Sequence, residues 1–241
     1  MSIRLLRIQV QSLETRLGRY WDERLLQEQP FAPSAVTVAD YNEANENYVQ
    51  FATTWLLQFA IGTVVVAGRG TDQEERLWIL QGLRCGLKPV IVDASYIANL
   101  QARLNLIRML GQTTQVQEML WRDEVGAFLR RNRKRLKPPL TLYFSRFLSS
   151  QSHRNLKRIL QAAGWYLSGD ADPRSENRVI LLHPFAEDNP EVKWVRTHPY
   201  SRQTILDNLR RGAGRQLRVT EKGNFLYFKY KHLTAWVVKA K

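Results

Sequence analysis

The chain of 241 residues carries 36 lysines and arginines against 22 aspartates and glutamates, a formal net charge of +14 at pH 7. Hydrophobic residues make up 44% of it, which supplies a packed core and excludes a wholly disordered chain. The single cysteine, Cys85, excludes an internal disulfide framework and a cysteine-rich zinc site. Since only four histidines accompany it, we predict neither a metal site nor a bound cofactor.

The positive charge lies in the second half of the chain. Residues 1–121 hold 11 Lys/Arg and 12 Asp/Glu, a net charge of −1, whereas residues 122–241 hold 25 and 10, a net charge of +15. Excess charge destabilises a fold through self-repulsion, so a domain this basic usually has an anionic partner. We therefore predict that the second half binds nucleic acid, RNA or DNA.

In the first half, helices surround one short strand–helix–strand unit. A helix over 3–29 and a second over 41–60, capped by Asp40, come first. The strand Thr63–Ala67, a turn beginning at Gly68, a helix over 73–87 and the strand Lys88–Val92 form a βαβ unit with parallel strands. A helix capped by Asp93 or Ser95 and ending at Leu110 follows, and then one continuous helix over 114–136.

In the second half, strands and helices alternate after Pro138-Pro139. Strands are predicted over the ranges 140–144, 178–183, 192–197, 216–221 and 225–231. Ser152 and Ser201 cap two helices, and Gly212 and Gly214 end the second of them. Lys222-Gly223-Asn224 has the composition of a hairpin turn, and the tail 232–241 reads as a strand or a short helix.

These elements predict an α+β protein in two parts. Residues 1–128 form a near-neutral, helix-rich α/β part that serves as scaffold, binds a protein partner or self-associates. Residues 129–139 are an arginine-rich helix end and a Pro-Pro linker. Residues 140–241 form a basic α+β part with either a split βαβ (ferredoxin-like) or a winged-helix arrangement, between which the sequence does not choose.

Three basic segments carry the predicted nucleic-acid contacts. The run 130–137 has six cations in eight residues, and residues 210–215 place three arginines around two glycines. In the last strand, Phe225, Tyr227, Lys229 and Lys231 share a face suited to base stacking, while Leu226, Phe228 and Tyr230 face the core. The predicted nucleic-acid-binding residues are Arg130, Arg131, Arg133, Lys134, Arg135, Lys137, Arg154, Lys157, Arg158, Arg210, Arg211, Arg215, Tyr227, Lys229 and Lys231.

The function predicted from these features is non-enzymatic binding of nucleic acid, with RNA or a single strand preferred to duplex DNA. A metal-dependent nuclease or nucleotide-processing enzyme built on the turn at Gly68 is the alternative. Its acids would be Asp72, Glu74, Glu75 and Asp93. A structural subunit of a nucleoprotein or viral assembly is a further alternative. We predict a cytoplasmic or otherwise intracellular protein that does not span a membrane, because the uncharged stretch 51–68 ends in a β-branched strand.

Overall fold

The computed structural model describes residues 38–68, 79, 81–111, 113–168, 176–189, 200–228 and 231–241. The strands are β1 Thr63–Ala67, β2 Lys88–Asp93, β3 Leu120–Arg122, β4 Leu140–Ser145, β5 Arg178–His183, β6 Leu217–Phe228 and β7 Lys231–Ala240. The α-helices are α1 Val38–Phe59, α2 Tyr96–Leu110, α3 Thr113–Met119, α4 Val125–Arg131, α5 His153–Trp165 and α6 Arg202–Ala213. Two 3₁₀ turns are Leu148–Ser150 and Ala186–Asp188.

All seven strands belong to one sheet, in the order β3-β2-β1-β4-β5-β7-β6. The five strands from β3 to β5 are parallel, and β7 runs antiparallel between β5 and β6. The chain builds outward from β1 to β3 on one side and then returns to place β4 and β5 on the other. Such a reversal leaves a crevice at the carboxyl ends of the two central strands, β1 and β4.

Helices cover both faces of the sheet because alternate strand residues point to opposite sides. Val65 of β1 joins a core formed with α4, α5 and α6. Val64 and Val66 join a second core formed with α1, α2 and α3. The central parallel strands β1, β4 and β5 are therefore buried on both faces, as their mainly apolar sequence requires.

This architecture corrects the predicted fold class. The protein is a three-layer α/β fold with one mostly parallel sheet, and it is neither a split βαβ (ferredoxin-like) nor a winged-helix arrangement. The predicted βαβ unit does place β1 and β2 in parallel, with Val65 opposite Val90. The prediction of a separate α+β arrangement after Pro138-Pro139 is wrong, because β4 pairs with β1 and so extends the same sheet. The segment 129–139 thus connects elements of one sheet, and its use as a domain boundary stays a prediction.

The continuous helix predicted over 114–136 is wrong. The chain forms α3, then the strand β3, and then α4, which ends at Arg131. β3 pairs with β2, with Ile91 opposite Leu120, so the sheet edge overrides the local helical pattern. Among the cations of the run 130–137, Arg130 and Arg131 therefore lie in a helix and the rest in the turns that follow.

The hairpin turn predicted at 222–224 is also wrong, because β6 continues through it to Phe228. Gly223 lies opposite Ala235 within the strand pair, and a Cβ atom on Gly223 would lie 2.6 Å from the Trp55 ring. The glycine thus admits an aromatic ring and does not mark a turn. The two faces of this strand are also the reverse of those predicted. Phe225 stacks on Phe51 of α1 at 4.9 Å and so faces the core, while Leu226 is 53% exposed.

The helix starts were predicted with mixed success. Ser95, Ser152 and Ser201 cap α2, α5 and α6 as expected, each accepting a hydrogen bond from a backbone N–H three residues ahead. Asp40 lies inside α1, which begins at Val38. Gly214 ends α6 in a left-handed conformation, whereas Gly212 lies within that helix. The tail is the strand β7 and not a helix.

Several predicted features lie outside the described residues. They are the helix over 3–29, most of the turn after Gly68, much of the helix over 73–87 and the strand over 192–197. Within the ranges that are described, no helix combines the length and the apolar character needed to cross a membrane.

Candidate active site

The crevice between β1 and β4 begins at Gly68, the residue after β1. Gly68 has a φ angle of +65° and donates its N–H to the carbonyl oxygen of Val92 at 2.9 Å. The Phe147 ring lies so close that a Cβ atom on Gly68 would be 1.9 Å from its Cδ2 atom. Both the conformation and this close approach of the Phe147 ring require glycine at the end of β1.

Asp93 ends β2 beside this glycine and is 8% exposed. Its Oδ1 atom accepts a hydrogen bond from the Ser95 N–H at 2.8 Å, and the Asn99 Nδ2 atom donates to its backbone carbonyl at 2.9 Å. Ser95 in turn caps α2 by accepting from the Ala98 N–H at 2.9 Å. The start of α2 thus holds the carboxylate in one orientation, where an ionised carboxylate only accepts hydrogen bonds and suits a ligand with hydroxyl donors.

The next strand adds a second acid and an aromatic ring. Asp123 follows β3, donates its N–H to the Asp93 carbonyl at 3.0 Å and forms an ion pair with Arg131 of α4. Tyr96, the first residue of α2, is 50% exposed and carries the Arg122 guanidinium over its ring at 5.2 Å. This side of the crevice therefore combines hydrogen-bond acceptors with an accessible aromatic surface.

At the carboxyl end of β4 an arginine is held in an unusual conformation. Arg146 has a φ angle of 53°, and its N–H donates to the Leu182 carbonyl at 2.8 Å. Its guanidinium lies 4.0 Å from the centre of the Tyr48 ring, and the Tyr48 hydroxyl hydrogen-bonds to Ser145. A non-glycine residue in this region costs about 1–3 kcal/mol and such residues concentrate at functional sites. Arg146 is therefore a candidate for contacting a second substrate.

The carboxyl end of β5 is a packed aromatic corner. His183 is buried, with its ring edge-on to Phe185 at 5.0 Å and parallel to Tyr200 at 6.3 Å. The Tyr200 hydroxyl donates to the Gln151 carbonyl at 2.5 Å, and burial raises the pKa of Tyr200. The phenol therefore stays protonated at neutral pH, and this corner supports the crevice from one side.

The predicted nucleic-acid-binding residues outside the last strand lie on α4, α5 and α6 or in the turns that follow α4 and α6. Arg131 pairs with Asp123, Arg210 pairs with Asp207 at 3.4 Å, and Arg215 donates to the Leu167 carbonyl at 2.8 Å. The exposed members along α5 are Arg154, Lys157 and Arg158, and those near α4 and α6 are Arg130, Arg135 and Arg211. Arg133, Lys134 and Lys137 come together around one cavity.

The third predicted segment is described only in part. Tyr227 and Lys231 are placed as strand residues without their side chains, and Lys229 lies outside the described residues. Phe225 was predicted to lie on the face that stacks on bases, but its ring packs against Phe51 of α1, so the prediction is wrong at this residue.

Sequence reasoning missed several groups of the crevice. Tyr48 was not singled out, and the left-handed conformation of Arg146 was not predicted, because a contact across 97 residues and a left-handed backbone leave no local pattern. Asp93 was considered as a metal ligand, although an acid at the end of the second strand of a βαβ unit also suits ribose hydroxyls.

Comparison with solved structures finds this fold in methyltransferases of low sequence identity. The N-methyltransferase NodS from Bradyrhizobium japonicum WM9, in complex with S-adenosyl-L-homocysteine, has a TM-score of 0.57 and 8% identity, covering 94% of this chain and 100% of that chain. A SAM-dependent methyltransferase from Leishmania major has a TM-score of 0.51 and 10% identity, covering 91% and 83%. The small RNA methyltransferase HEN1 has a TM-score of 0.50 and 12% identity, covering 87% of this chain and 27% of that chain. No protein-family model matches the sequence, and no curated protein matches it.

These comparisons contradict the prediction of a non-enzymatic nucleic-acid-binding protein, because the compared structures that share the fold are enzymes. The structural subunit of a nucleoprotein or viral assembly is corrected by the same finding. For the metal-dependent nuclease, Asp93 is the one described member of the proposed acidic set. Within the described ranges, no group of three or more His, Cys, Asp or Glu residues is placed to hold a metal ion. The charge pattern misled the prediction, because a basic composition does not indicate whether a protein is an enzyme.

Proposed function

We propose that the protein is a methyltransferase that takes its methyl group from S-adenosylmethionine and transfers it to nucleic acid, with RNA as the favoured acceptor. The observation that carries this proposal is the Asp93 carboxylate, held at the carboxyl end of β2 beside the β1–β4 reversal. Open α/β sheets bind their ligands at this point. The shared fold with the complex of NodS and S-adenosyl-L-homocysteine supports the choice of methyl donor.

The residues of the crevice fit an adenosyl cofactor. Asp93 would accept hydrogen bonds from the ribose hydroxyls. Bound S-adenosylmethionine supplies a methyl group made electrophilic by the positively charged sulfonium. The Asp93 carboxylate contributes negative charge at this edge, which favours a cationic ligand, whereas the Asp123 carboxylate is paired with Arg131. Ser95 and Asn99 keep Asp93 oriented by their hydrogen bonds.

The side of the crevice formed by β4 suits the methyl acceptor. The Arg146 guanidinium lies over the Tyr48 ring at the strand next to β1, where it can contact an anionic or aromatic group. This arrangement binds and orients a substrate. The described residues of this edge supply hydrogen bonds and charge for positioning, and the proposal assigns no proton transfer to them.

Nucleic acid is the proposed acceptor because of the charge on one helix layer. The helices α4, α5 and α6 hold eight lysines and arginines and a single acid, Asp207. Neutralising phosphates with lysine and arginine releases condensed counterions and gives sequence-independent affinity. The likeness to a small RNA methyltransferase favours RNA over DNA as the first substrate to test.

The test measures donor binding and transfer separately. Isothermal titration with S-adenosyl-L-homocysteine should show saturable binding, and Asp93→Ala should weaken it about 100-fold, because hydrogen bonds to a charged group contribute about 1.5–3 kcal/mol each. Asp207→Ala, which removes a surface acid of α6, serves as the matched control and should leave binding unchanged. Transfer of a labelled methyl group to total RNA, and its absence with Asp93→Ala, tests the acceptor class. Wild-type protein that does not bind S-adenosyl-L-homocysteine would refute the proposed function.

A further inference from the structure

A second recess lies at the opposite edge of the sheet from the crevice. It is a cavity of about 330 Å³ between the end of α4, the end of α5 and the starts of β4 and β5. Its lining includes the cations Arg133, Lys134 and Lys137 together with Trp165, Tyr166 and Asn177. None of its described lining residues is acidic. The cavity therefore concentrates positive charge at the amino ends of the strands.

Its arginine is held in place by an aromatic ring. The Arg133 guanidinium lies 4.4 Å from the centre of the Trp165 ring, and Trp165 packs edge-on against Tyr166 at 5.0 Å. A stacked guanidinium keeps its N–H groups in a plane and loses less side-chain freedom when it binds an anion. Arg133 is thus oriented before any ligand arrives, while Lys134 and Lys137 add mobile charge.

The floor of the cavity is rigid and uncharged. The Tyr166 hydroxyl donates to the Leu129 carbonyl at 2.7 Å, and Asn177 joins the Tyr166 carbonyl at 2.8 Å to the Leu140 N–H at 2.8 Å. Burial raises the pKa of Tyr166, an effect that the Arg133 charge opposes only in part. The phenol therefore stays neutral and does not cancel the positive charge above it.

We propose that this cavity binds a backbone phosphate of the nucleic-acid substrate, at a distance from the nucleotide that is methylated. Three cations without an acid suit a phosphate, and Trp165 provides an aromatic surface beside it for a base or sugar. The assignment of the far crevice as the reacting centre rests on the proposed function, whereas phosphate binding here does not require it.

The position of the cavity sets a minimum length for the substrate. The six residues of β4 separate the two edges of the sheet by about 17 Å at ~3.3 Å per residue. A stacked strand rises ~3.4 Å per nucleotide, so a strand that stays stacked needs at least about five nucleotides to reach from the cavity to the crevice. An RNA that fills both sites is therefore longer than a nucleotide or dinucleotide.

The experiment compares two triple variants with the same change in charge. Arg133→Glu, Lys134→Glu and Lys137→Glu together remove the cavity cations. The control reverses three exposed cations elsewhere, Arg84→Glu, Arg108→Glu and Lys222→Glu. Fluorescence anisotropy follows a labelled single-stranded RNA of about 12 nucleotides, longer than the minimum length, over a range of KCl concentrations.

The cavity variant should bind RNA at least about 10-fold more weakly than the control variant does. The slope of log affinity against log salt should fall by about 0.7, which is the contribution of one phosphate contact on a single strand. Equal weakening by the two triples would overturn the proposal, because it would reflect net charge alone. So would binding of the wild type to vesicles of phosphatidylcholine with about one-fifth phosphatidylserine, but not to RNA.

Titration with S-adenosyl-L-homocysteine separates this proposal from the proposed function. Unchanged binding by the cavity triple shows that the variant is folded. If S-adenosyl-L-homocysteine binds and the cavity triple has no specific effect on RNA, the cavity proposal fails alone. If the cavity effect is present and S-adenosyl-L-homocysteine does not bind to the wild type, the proposed function fails alone.

Discussion

The two helix layers of the sheet differ in charge and in what they contribute to the site. The layer of α4, α5 and α6 holds eight lysines and arginines and one acid, whereas α1, α2 and α3 hold two arginines and four acids. The acidic layer orients Asp93 through the start of α2 and supplies Tyr48 from α1. Among the described helices, the charge division along the sequence is therefore a division between two faces of one sheet, because the described chain after residue 122 builds the helices of one face.

The basic layer is held together by contact between helix backbones. A Cβ atom on Gly164 of α5 would lie 2.1 Å from the Leu209 carbonyl oxygen of α6. A Cβ atom on Gly212 of α6 would lie 2.1 Å from the Gln161 carbonyl oxygen of α5. Two glycines thus let α5 and α6 approach closely from both sides, and the cations on these helices are presented by one rigid unit.

The substitution expected to disturb the basic layer most is Gly164→Ala. The added methyl group meets backbone atoms that cannot rotate away, so the helices must separate, at a cost of about 3 kcal/mol in the free energy of unfolding. Urea denaturation followed by circular dichroism measures this loss. Because the Asp93 side of the molecule does not depend on this contact, the folded fraction should still bind S-adenosyl-L-homocysteine.

Gly126→Ala is the matched control, since it adds the same methyl group to α4 in the same layer. Its Cβ atom would lie 3.3 Å from the Ile159 Cγ1 atom and 3.5 Å from the nearest backbone atoms, close to ordinary contact, and alanine is favoured over glycine within a helix by about 0.5–1 kcal/mol. We expect stability within about 1 kcal/mol of the wild type. If Gly164→Ala were as mild as this control, the two helices would not form a rigid unit.

A smaller effect is expected when charge is removed from the basic layer alone. Arg154→Gln, Lys157→Gln and Arg158→Gln together should weaken RNA binding about 10-fold and lower the salt slope by about 2. Anisotropy titrations at several salt concentrations measure both quantities. The three side chains are exposed along α5, so stability should change little.

The acidic layer provides the control with the same net change of three charges. Gln50→Glu, Thr54→Glu and Gln58→Glu place three acids on exposed positions of α1. Since that face does not contact the RNA in our proposal, affinity should fall by no more than about 2-fold through long-range repulsion. Equal effects from the two triples would show that RNA responds to total charge and not to a face.

The sequence predicts local structure well where one element determines it. The serine caps at residues 95, 152 and 201 and the parallel pair of β1 and β2 are confirmed, because each depends on a few neighbouring residues. The β3 strand and the pairing of β4 with β1 were missed. Both depend on a sheet edge formed by distant residues, so the fold class was wrong although many of its elements were right.

The site shows the same limit. The basic residues around the cavity were named from their density in the sequence, but Trp165 and Asn177 join them only through tertiary packing. Gly223 was interpreted as a turn residue because turns favour glycine, and it instead makes room for the Trp55 ring. Composition therefore identified the charged surface, whereas the crevice groups Arg146 and Tyr48 required the topology.

The smallest of these predicted effects concerns the link between the basic layer and the sheet. Asp188 accepts hydrogen bonds from the Arg202 Nη2 atom of α6 at 2.5 Å and from the Thr234 hydroxyl of β7 at 2.6 Å. Burial raises the pKa of Asp188, but the hydrogen bonds and the Arg202 charge outweigh it and hold the pKa below its usual value of 3.8. The ionised form is therefore bound more strongly in the folded state.

A lowered folded pKa means that the stabilisation is present at neutral pH and is lost as the pH falls from about 4 through the folded value. Asp188→Asn should cost about 1 kcal/mol in the free energy of unfolding at pH 7, measured by urea denaturation. The difference from the wild type should disappear in acid. Asp207→Asn, whose partner Arg210 is 37% exposed, should cost less than about 0.5 kcal/mol. A cost for Asp188→Asn that persisted unchanged in acid would mean that its shape, and not its charge, joins α6 to β7.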